Sequence, residues 1–295
     1  MRNLKRRLFG WSVSNSETYR ECYQLHGGSI NTHPDVINFI STQTGADVKY
    51  YENSRNGVLY GAYPLINGAL GLKINKKYPL SYDEVLLPIR DDKRLFIPER
   101  TNRLSPLHRT NTFNSNFIIA RKNEICIVKD TFSVKTEKNR RHEFNRFIKA
   151  GGSYVDQVNL STEELSNIYI TLFKARFGES VPCYSFDRIF SFINHLRKMI
   201  FGYVLYINNT PCAIDLILFN ECNNFIYFDV PNGGVDPHHS VLSPGSVLMW
   251  LNIKKARELC EEKEKIMRFS IGALRPRWKY KLRWADPFKT GKPFI

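Results

Sequence analysis

The sequence predicts an α/β (α+β) protein in which mixed, mostly antiparallel sheets are flanked by helices. Three observations favour this class. The 295 residues are enough for two domains of about 150 residues each. Helical periodicity alternates with short apolar runs and turn signals along the chain. A hydrophobic fraction of 42%, with 13% aromatic residues, is sufficient for buried cores and excludes a disordered chain.

The first half, residues 1–130, begins with a strongly basic segment, and two interpretations of it stay open. It is either a frayed terminus or a short helix, basic on one side and apolar on the other, which is typical of membrane-surface anchors. The remaining predicted elements follow from capping, turn and alternation signals. They are helices over 16–25 and 35–43, a hairpin over 48–66, a strand over 84–89, a long loop over 95–116 and further segments at 116–121 and 124–129.

The second half, residues 131–295, begins where the sequence pattern changes to that of longer amphipathic helices. The predicted elements, in order, are a basic helix over 132–152, a strand over 153–158, helices over 160–178 and 186–199, a hairpin over 201–219, a strand over 224–230, a turn and helix from Pro244, a strand near 269–272 and a short final helix. Its helix over 160–178 begins with a Ser-Thr-Glu-Glu capping signal and has apolar residues at helical spacing, so we expect it to be buried on one face.

Candidate phosphate-binding residues lie in the stretch from Leu242 to Asp286. A Pro-Gly turn opens its helix, and the unpaired N–H groups of such a helix start suit a phosphate. Ser243, Gly245 and Ser246 are therefore predicted to contact a phosphate-bearing ligand. The alternative is an ordinary helix start with turn chemistry.

The basic, aromatic segment that follows is predicted to be helical. Helical spacing would put Tyr280 and Trp284 on one face, and Arg277 and Lys281 on another. Tyr280 is then a candidate general acid, and the two cations are candidate phosphate contacts. The alternative is a packed aromatic face beside a solvated basic face.

A site that activates an amine or hydroxyl needs a proton acceptor. Asp229 and Asp215, on neighbouring predicted strands, are the candidate bases. The alternative for each is a strand carboxylate that points to solvent or pairs with an arginine. His238 and His239 lie in the loop nearby, although exposed loop histidines are usually bystanders.

The second half resembles a GNAT acyltransferase. The runs SPGS (243–246), FSIG (269–272) and YKLRW (280–284) are similar to the GNAT-like domains of cellulose-linked acyltransferases, which are related to Fem-type aminoacyl transferases. The resemblance implies two tandem GNAT-like domains, a degenerate one over 1–130 and an acyltransferase domain over 131–295. Leu242 and Val247 depart from the usual pyrophosphate loop, so the cofactor is unknown, with acyl-coenzyme A and aminoacyl-tRNA as the alternatives.

Over the whole chain, the runs ECYQLHGGSINTHPDV (21–36), YFDVPNGG (227–234) and LSPGSVLMWLNI (242–253) resemble the Mig family of macrophage-inducible bacterial proteins. That family is linked to resistance against cationic antimicrobial peptides and to the inner membrane. The resemblance implies an envelope or lipid-linked acceptor, or another small molecule. A non-catalytic membrane-associated scaffold or regulator with a vestigial fold, which could bind nucleic acid, stays the alternative.

Net charge and cysteine content limit the partners and sites that we expect. The 43 Lys and Arg residues against 28 Asp and Glu give a formal net charge of +15. This excess favours an anionic phospholipid surface or a phosphate-bearing donor, whereas no motif predicts sequence-specific DNA reading. Six scattered cysteines predict neither a disulfide framework nor a metal site. Since no apolar run reaches the ~18 residues of a membrane span, we expect a cytoplasmic protein, in one interpretation peripheral on the cytosolic face of the inner membrane.

Overall fold

The computed structural model describes residues 2–72, 77–118 and 123–295. The elements of its first part are α1 (Arg2–Leu8), β1 (Trp11–Ser14), α2 (Ser16–His26), α3 (Pro34–Thr44), β2 (Val48–Arg55), β3 (Val58–Ile66), β4 (Ala69–Leu70), α4 (His108–Asn111), β5 (Ser115–Asn116) and β6 (Glu124–Val128). Strands β1 to β4 form an antiparallel sheet in chain order. Asn15 is the N-cap of α2, because its side chain accepts from two backbone N–H groups of the first turn.

The second part contains longer helices and a larger sheet. Its elements are α5 (Val134–Lys149), β7 (Gly152–Asp156), α6 (Thr162–Phe177), α7 (Phe186–His195), β8 (Ile200–Phe201), β9 (Tyr203–Ile207), β10 (Thr210–Glu221), β11 (Phe225–Val235), α8 (Pro244–Glu262), β12 (Ile266–Ala273), β13 (Ala285–Lys289) and β14 (Lys292–Pro293). Ser161 and Glu164 form the capping box that the sequence predicts at the start of α6.

The large sheet has eight strands, in the order β13-β6-β12-β11-β10-β9-β7, with β8 paired to β10. Strands β11 and β12 run parallel, and the other described pairs of this sheet are antiparallel. A helical crossover, α8, joins the two parallel strands, as parallel pairing requires. The predicted mixed and mostly antiparallel α/β architecture is confirmed.

The large sheet is covered on both faces. On one face, the side chains of β10 and β11 pack with α5 and α8 in one hydrophobic cluster. On the other face, a second cluster joins Ile214, Leu218 and Tyr227 of the sheet to α6 and α7, and also to α2 and α3 from the first part of the chain. The two parts of the molecule therefore share a hydrophobic core, which stabilises them as one packed unit.

The predicted division after residue 130 stays a prediction. Strand β6, which precedes that point in the chain, hydrogen-bonds between β12 and β13 of the large sheet. The sheet of the second part is therefore completed by a strand from before the division.

Two local predictions for the first part are corrected. The segment 84–89 is not a regular strand, because it contributes only isolated bridges such as Val85 with Leu104 and Ile89 with Gly61; Pro88 removes one backbone donor from it. The basic terminus is not frayed, because α1 is anchored by the buried Arg6, whose guanidinium donates to Glu99 and Tyr51. Residues 119–121 of the predicted segment 116–121 lie outside the described residues.

Candidate active site

The candidate site lies where the two parallel strands of the large sheet stop pairing. Strand β11 pairs with β12 from Phe225 opposite Ile266 to Asp229 opposite Ser270. Beyond that point β11 continues beside β10, while β12 continues beside β6. Asp229 and Ser270 are therefore the last pair before the strands part, and they border the place where backbone groups lose their neighbouring strand.

Asp229 is a buried carboxylate with an incomplete set of hydrogen bonds. The residue is 3% exposed, and its Oδ1 has no hydrogen-bond partner among the described residues. Burial, followed by the nearby Asp83 carboxylate, raises the pKa of Asp229 to about 8, while the Ser270 hydroxyl and the Lys281 ammonium act in the opposite direction. A buried polar atom left unpaired calls for an explanation, such as strain, a catalytic role or a bound water or ion, and a strongly shifted carboxyl beside it makes the position a candidate site.

Asp83 and Lys281 complete the polar surroundings of Asp229. Asp83 Oδ2 accepts from the Ala273 N–H at 3.0 Å. The Lys281 ammonium is buried and donates to the backbone carbonyls of Ile271, at 2.5 Å, and Ala273, at 2.9 Å. Desolvation lowers the pKa of Lys281, and the acids around it oppose that shift only in part. Lys281, from the 3-10 helix that follows β12, therefore places a positive charge near Asp229.

A second buried carboxylate next to this group binds the two parts of the chain together. Glu84 is 2% exposed. Its carboxylate accepts from the Tyr227 hydroxyl at 2.5 Å, from the Ser105 hydroxyl at 2.5 Å and from the Arg268 guanidinium. All three hydrogen bonds go to a buried carboxylate and are therefore charge-assisted. Together they hold the loop that carries Asp83 against β11 and β12.

Asp215, the other candidate base, lies on β10 in a separate environment. It faces Gly233 of β11 in the strand register, and its Oδ2 is buried without a partner among the described residues. Burial raises the pKa of Asp215 to about 6, against the opposing effects of Arg176 and Asn252. The register separates it from Asp229, which lies opposite Leu218, so the two carboxylates do not form a pair.

At the start of α8, some backbone N–H groups of the first turn are hydrogen-bonded and one is not. Ser243 adopts a left-handed conformation, with φ of 53°, and its side chain caps no backbone N–H. The N–H groups of Ser246 and Val247 already donate to the Ser243 carbonyl, at 2.9 and 3.1 Å. Pro244 has no N–H, so Gly245 offers the remaining donor of the first turn. The structure thus keeps the predicted donor-binding residues together at a helix start.

The predicted face shared by Tyr280 and Trp284 is wrong. Residues Pro276–Arg283 form a 3-10 helix with a non-helical kink at Trp278. Because this helix has about three residues per turn, positions four apart do not lie on one side. Tyr280 is consequently 46% exposed, whereas Trp284 is 4% exposed.

Arg277 and Lys281 are separated for the same reason. Arg277 is exposed, whereas Lys281 is buried; their cationic groups lie over the Trp278 ring at 4.8 and 4.7 Å. Arg277 remains accessible for a phosphate contact. Lys281 would first have to leave two backbone carbonyls.

Sequence reasoning missed Asp83, Glu84 and Arg268. The two acids precede an apolar run in a stretch without regular structure, and no local pattern distinguishes them from solvated loop residues. Their partners on β11, β12 and the final 3-10 helix lie more than 140 positions away in sequence. Such contacts become visible only once the fold brings the two parts together.

Comparisons with known proteins agree with this architecture. A family model described as Mig-14 matches residues 33–293, and no curated protein has a matching sequence. The structure of FemX is similar with a TM-score of 0.61 at 9% identity, covering 97% of each chain. A tandem GNAT protein from the clavulanic acid biosynthesis pathway has a TM-score of 0.42 at 9% identity, covering 96% of this chain and 97% of its own. The L-PGS of Bacillus licheniformis has a TM-score of 0.39 at 15% identity, covering 58% and 59%.

Proposed function

This chain belongs to the Mig-14 family, and from that premise we propose that it is an acyl or aminoacyl transferase that uses Asp229 as its general base. The observation that carries the proposal is the buried, unpaired Oδ1 of Asp229 at the point where β11 and β12 part. The FemX likeness supports a transferase type of fold over almost the whole chain, although a fold alone does not establish an activity.

In the proposed reaction, an acceptor amine or hydroxyl attacks the carbonyl carbon of a thioester or aminoacyl ester. The bond from the acceptor atom to the acyl carbon forms, and the bond from that carbon to the donor sulfur or oxygen breaks. Asp229 takes the acceptor proton, directly or through water, and the Tyr280 phenol protonates the leaving group. Asp215 is the second candidate base. Since the raised pKa of Asp229 is about 8, the rate should rise with pH up to that region, where the carboxylate is ionised.

The donor is proposed to lie with its phosphate at Ser243, Gly245 and Ser246, and the exposed Arg277 is a further proposed phosphate contact. The helix start offers the Gly245 N–H and the positive end of the helix dipole. The proposed contribution of Lys281 is electrostatic, because its charge favours the ionised form of Asp229. Acyl-coenzyme A and aminoacyl-tRNA both carry phosphate and a reactive acyl carbon, so either fits this scheme.

The proposed acceptor is an envelope or lipid-linked molecule at the inner membrane, and the proposed outcome is resistance to cationic antimicrobial peptides. With a net charge of +15, the protein would repel such peptides and trap them poorly. Altering an anionic acceptor is the more direct route to resistance. Among the described residues, none of the helices is long and apolar enough to cross a bilayer.

Helix α1 is the proposed membrane contact. Leu4 is 71% exposed and Leu8 is 73% exposed, one helical turn apart, and Arg7 is exposed beside them. This is the combination of apolar and basic side chains that binds an anionic interface. Replacing both leucines with serine should change the free energy of unfolding by less than about 0.5 kcal/mol but reduce flotation with phosphatidylglycerol vesicles. Unchanged flotation at an unchanged melting temperature would contradict this contact.

The function is tested by the survival of cells that carry Asp229→Asn in place of the wild-type chain. We expect resistance to a cationic peptide to fall to that of cells lacking the protein, because the base is removed while the side-chain size is kept. Asp187→Asn is the matched control, since Asp187 is an exposed carboxylate on α7. Full resistance with Asp229→Asn, at equal protein level, would favour the non-catalytic scaffold instead.

A further inference from the structure

A cavity of about 380 Å³ lies between residues of the first half and the last strand, β14. This volume is within the range of small-molecule sites, which is about 300–1,000 Å³. The exposed side chains of Arg100, Asn102 and Lys292 line it, so the cavity is open to solvent. None of the residues assigned to the transfer reaction lines it.

The lining of this cavity is positively charged. Arg100, Arg103 and Lys292 contribute three cations, and none of the described lining residues is acidic. The two buried acids of the surrounding chain are already engaged, because Glu84 binds Arg268 and Glu99 binds Arg6. The three cationic groups consequently lack a neutralising carboxylate within the described lining, which favours an anion in the cavity.

Backbone contacts hold the cations around the same space. The N–H of Leu104 donates to the Gly291 carbonyl at 3.1 Å, and the N–H of Gly291 donates to the Leu104 carbonyl at 2.7 Å. This reciprocal pair places Lys292 across from Arg103. The Arg103 guanidinium is oriented by the Tyr82 carbonyl, and Thr101 and Asn102 add polar side chains to the wall.

We propose that this cavity binds the phosphate group of an anionic ligand. A phosphate or diphosphate carries enough negative charge to match three cations, and the planar guanidinium forks of arginine suit its oxygens. The hydroxyl of Thr101 and the amide of Asn102 supply further polar groups. The phosphate could belong to a soluble molecule or to a lipid headgroup, since the recognition chemistry is the same.

The cavity is adjacent to the candidate active site through one short segment. Tyr82 lines the cavity, and the next residue, Asp83, contacts β12 beside Asp229. A ligand in the cavity would therefore lie against the segment that positions Asp83. The phosphate site does not rest on the transferase proposal, because its charge and volume are independent of Asp229.

The test is isothermal titration of the full chain with inorganic pyrophosphate. We expect a binding event that R100Q/K292Q weakens at least about tenfold, since two cations are removed without touching the bonded Arg103. Any second event at the start of α8 should be unchanged in this variant. Asn102→Trp should also weaken binding, because it fills the cavity and leaves its charge unchanged. Competition by phosphatidylglycerol vesicles would identify a lipid phosphate as the source, and its absence would identify a soluble one.

The matched control is R55Q/K198Q, which removes two exposed cations elsewhere on the surface. It should bind pyrophosphate as the wild type does. Equal weakening in R55Q/K198Q and R100Q/K292Q would overturn the proposal, because binding would then follow net charge alone. Absence of pyrophosphate and vesicle binding in the wild type would overturn it as well.

Discussion

The sheets of the two halves are built differently. The first four strands pair antiparallel and in chain order, whereas the large sheet contains the parallel pair of β11 and β12, whose strands part after Asp229 and Ser270. A continuous antiparallel ladder satisfies its backbone within itself, while parting strands leave groups that need another partner.

The hydrogen bonding of the buried carboxylates also differs between the two halves. In the first half, Glu99 is 1% exposed and is bonded to Arg6 and Tyr63. In the second half, Asp229 retains an unpaired oxygen among the described residues. The comparison shows that the first half contributes the loop with Asp83 and Glu84, while the incompletely paired Asp229 belongs to the second half.

The largest expected effect comes from breaking the contact between the halves at Glu84. Glu84→Ala leaves the Arg268 guanidinium without its buried partner, which typically destabilises a protein by about 3–5 kcal/mol. Urea unfolding measures this change. Glu258→Ala is the control, because its pair with Lys254 is exposed and should contribute about 0.3–0.5 kcal/mol. Equal effects of the two substitutions would mean that the halves do not depend on Glu84.

The next largest effect is on the pH dependence of the free energy of unfolding, to which the two buried aspartates contribute over different pH ranges. The folded state keeps a proton on Asp229 up to a pKa of about 8, whereas an unfolded Asp loses it near pH 4. The folded state therefore binds more protons between these values, and stability should fall as pH rises, by at most about 1.4 kcal/mol per unit. Asp215, with a pKa of about 6, adds to the fall only in the lower part of this window.

Two variants test this assignment by unfolding between pH 4 and pH 8. Asp229→Asn should remove the fall between about pH 6 and pH 8 and about halve it between pH 4 and pH 6. Asp215→Asn should only about halve it between pH 4 and pH 6 and leave it unchanged above. At pH 8, Asp229→Asn should be more stable than the wild type, since the ionised carboxylate is no longer buried. A slope that Asp229→Asn leaves unchanged above pH 6 would contradict the burial of this group.

The smallest expected effect on stability is at Gly245. A methyl group there would meet only Val235, at 3.4 Å, and alanine is the better helix former, so Gly245→Ala should stabilise by up to about 1 kcal/mol. If the helix start binds the donor, the same methyl group should weaken the thermal stabilisation given by acyl-coenzyme A or aminoacyl-tRNA. A variant that is more stable and binds each donor as before would remove Gly245 from the site.

Much of the fold follows from local signals in the sequence. The predicted helices over 16–25 and 35–43 are confirmed as α2 and α3, because their caps and glycine ends are local features. The hairpin of β2 and β3 is confirmed for the same reason, with Asn56 and Gly57 both at positive φ in its turn. The fold could therefore be predicted wherever neighbouring residues determine it.

The candidate site was only partly predictable. Asp229 and the start of α8 could be selected from residue type and position, but the partners Asp83 and Glu84 act across long sequence distances. The prediction that Tyr280 and Trp284 share a face was wrong because it assumed α-helical spacing. Residues Pro276–Arg283 instead form a 3-10 helix with a kink at Trp278. Charge, burial and proximity at the site are properties of the assembled fold.

The central claim is that the parted strands of the second half form a transferase site with Asp229 as the base. The most direct measurement is a single-turnover assay that follows a labelled acyl or aminoacyl group from its donor into the lipid fraction of isolated envelopes. We predict transfer by the wild type that increases with pH towards about 8, and a loss of about 10²–10⁴-fold in Asp229→Asn. Equal transfer and equal pH dependence in the wild type and Asp229→Asn would contradict the claim.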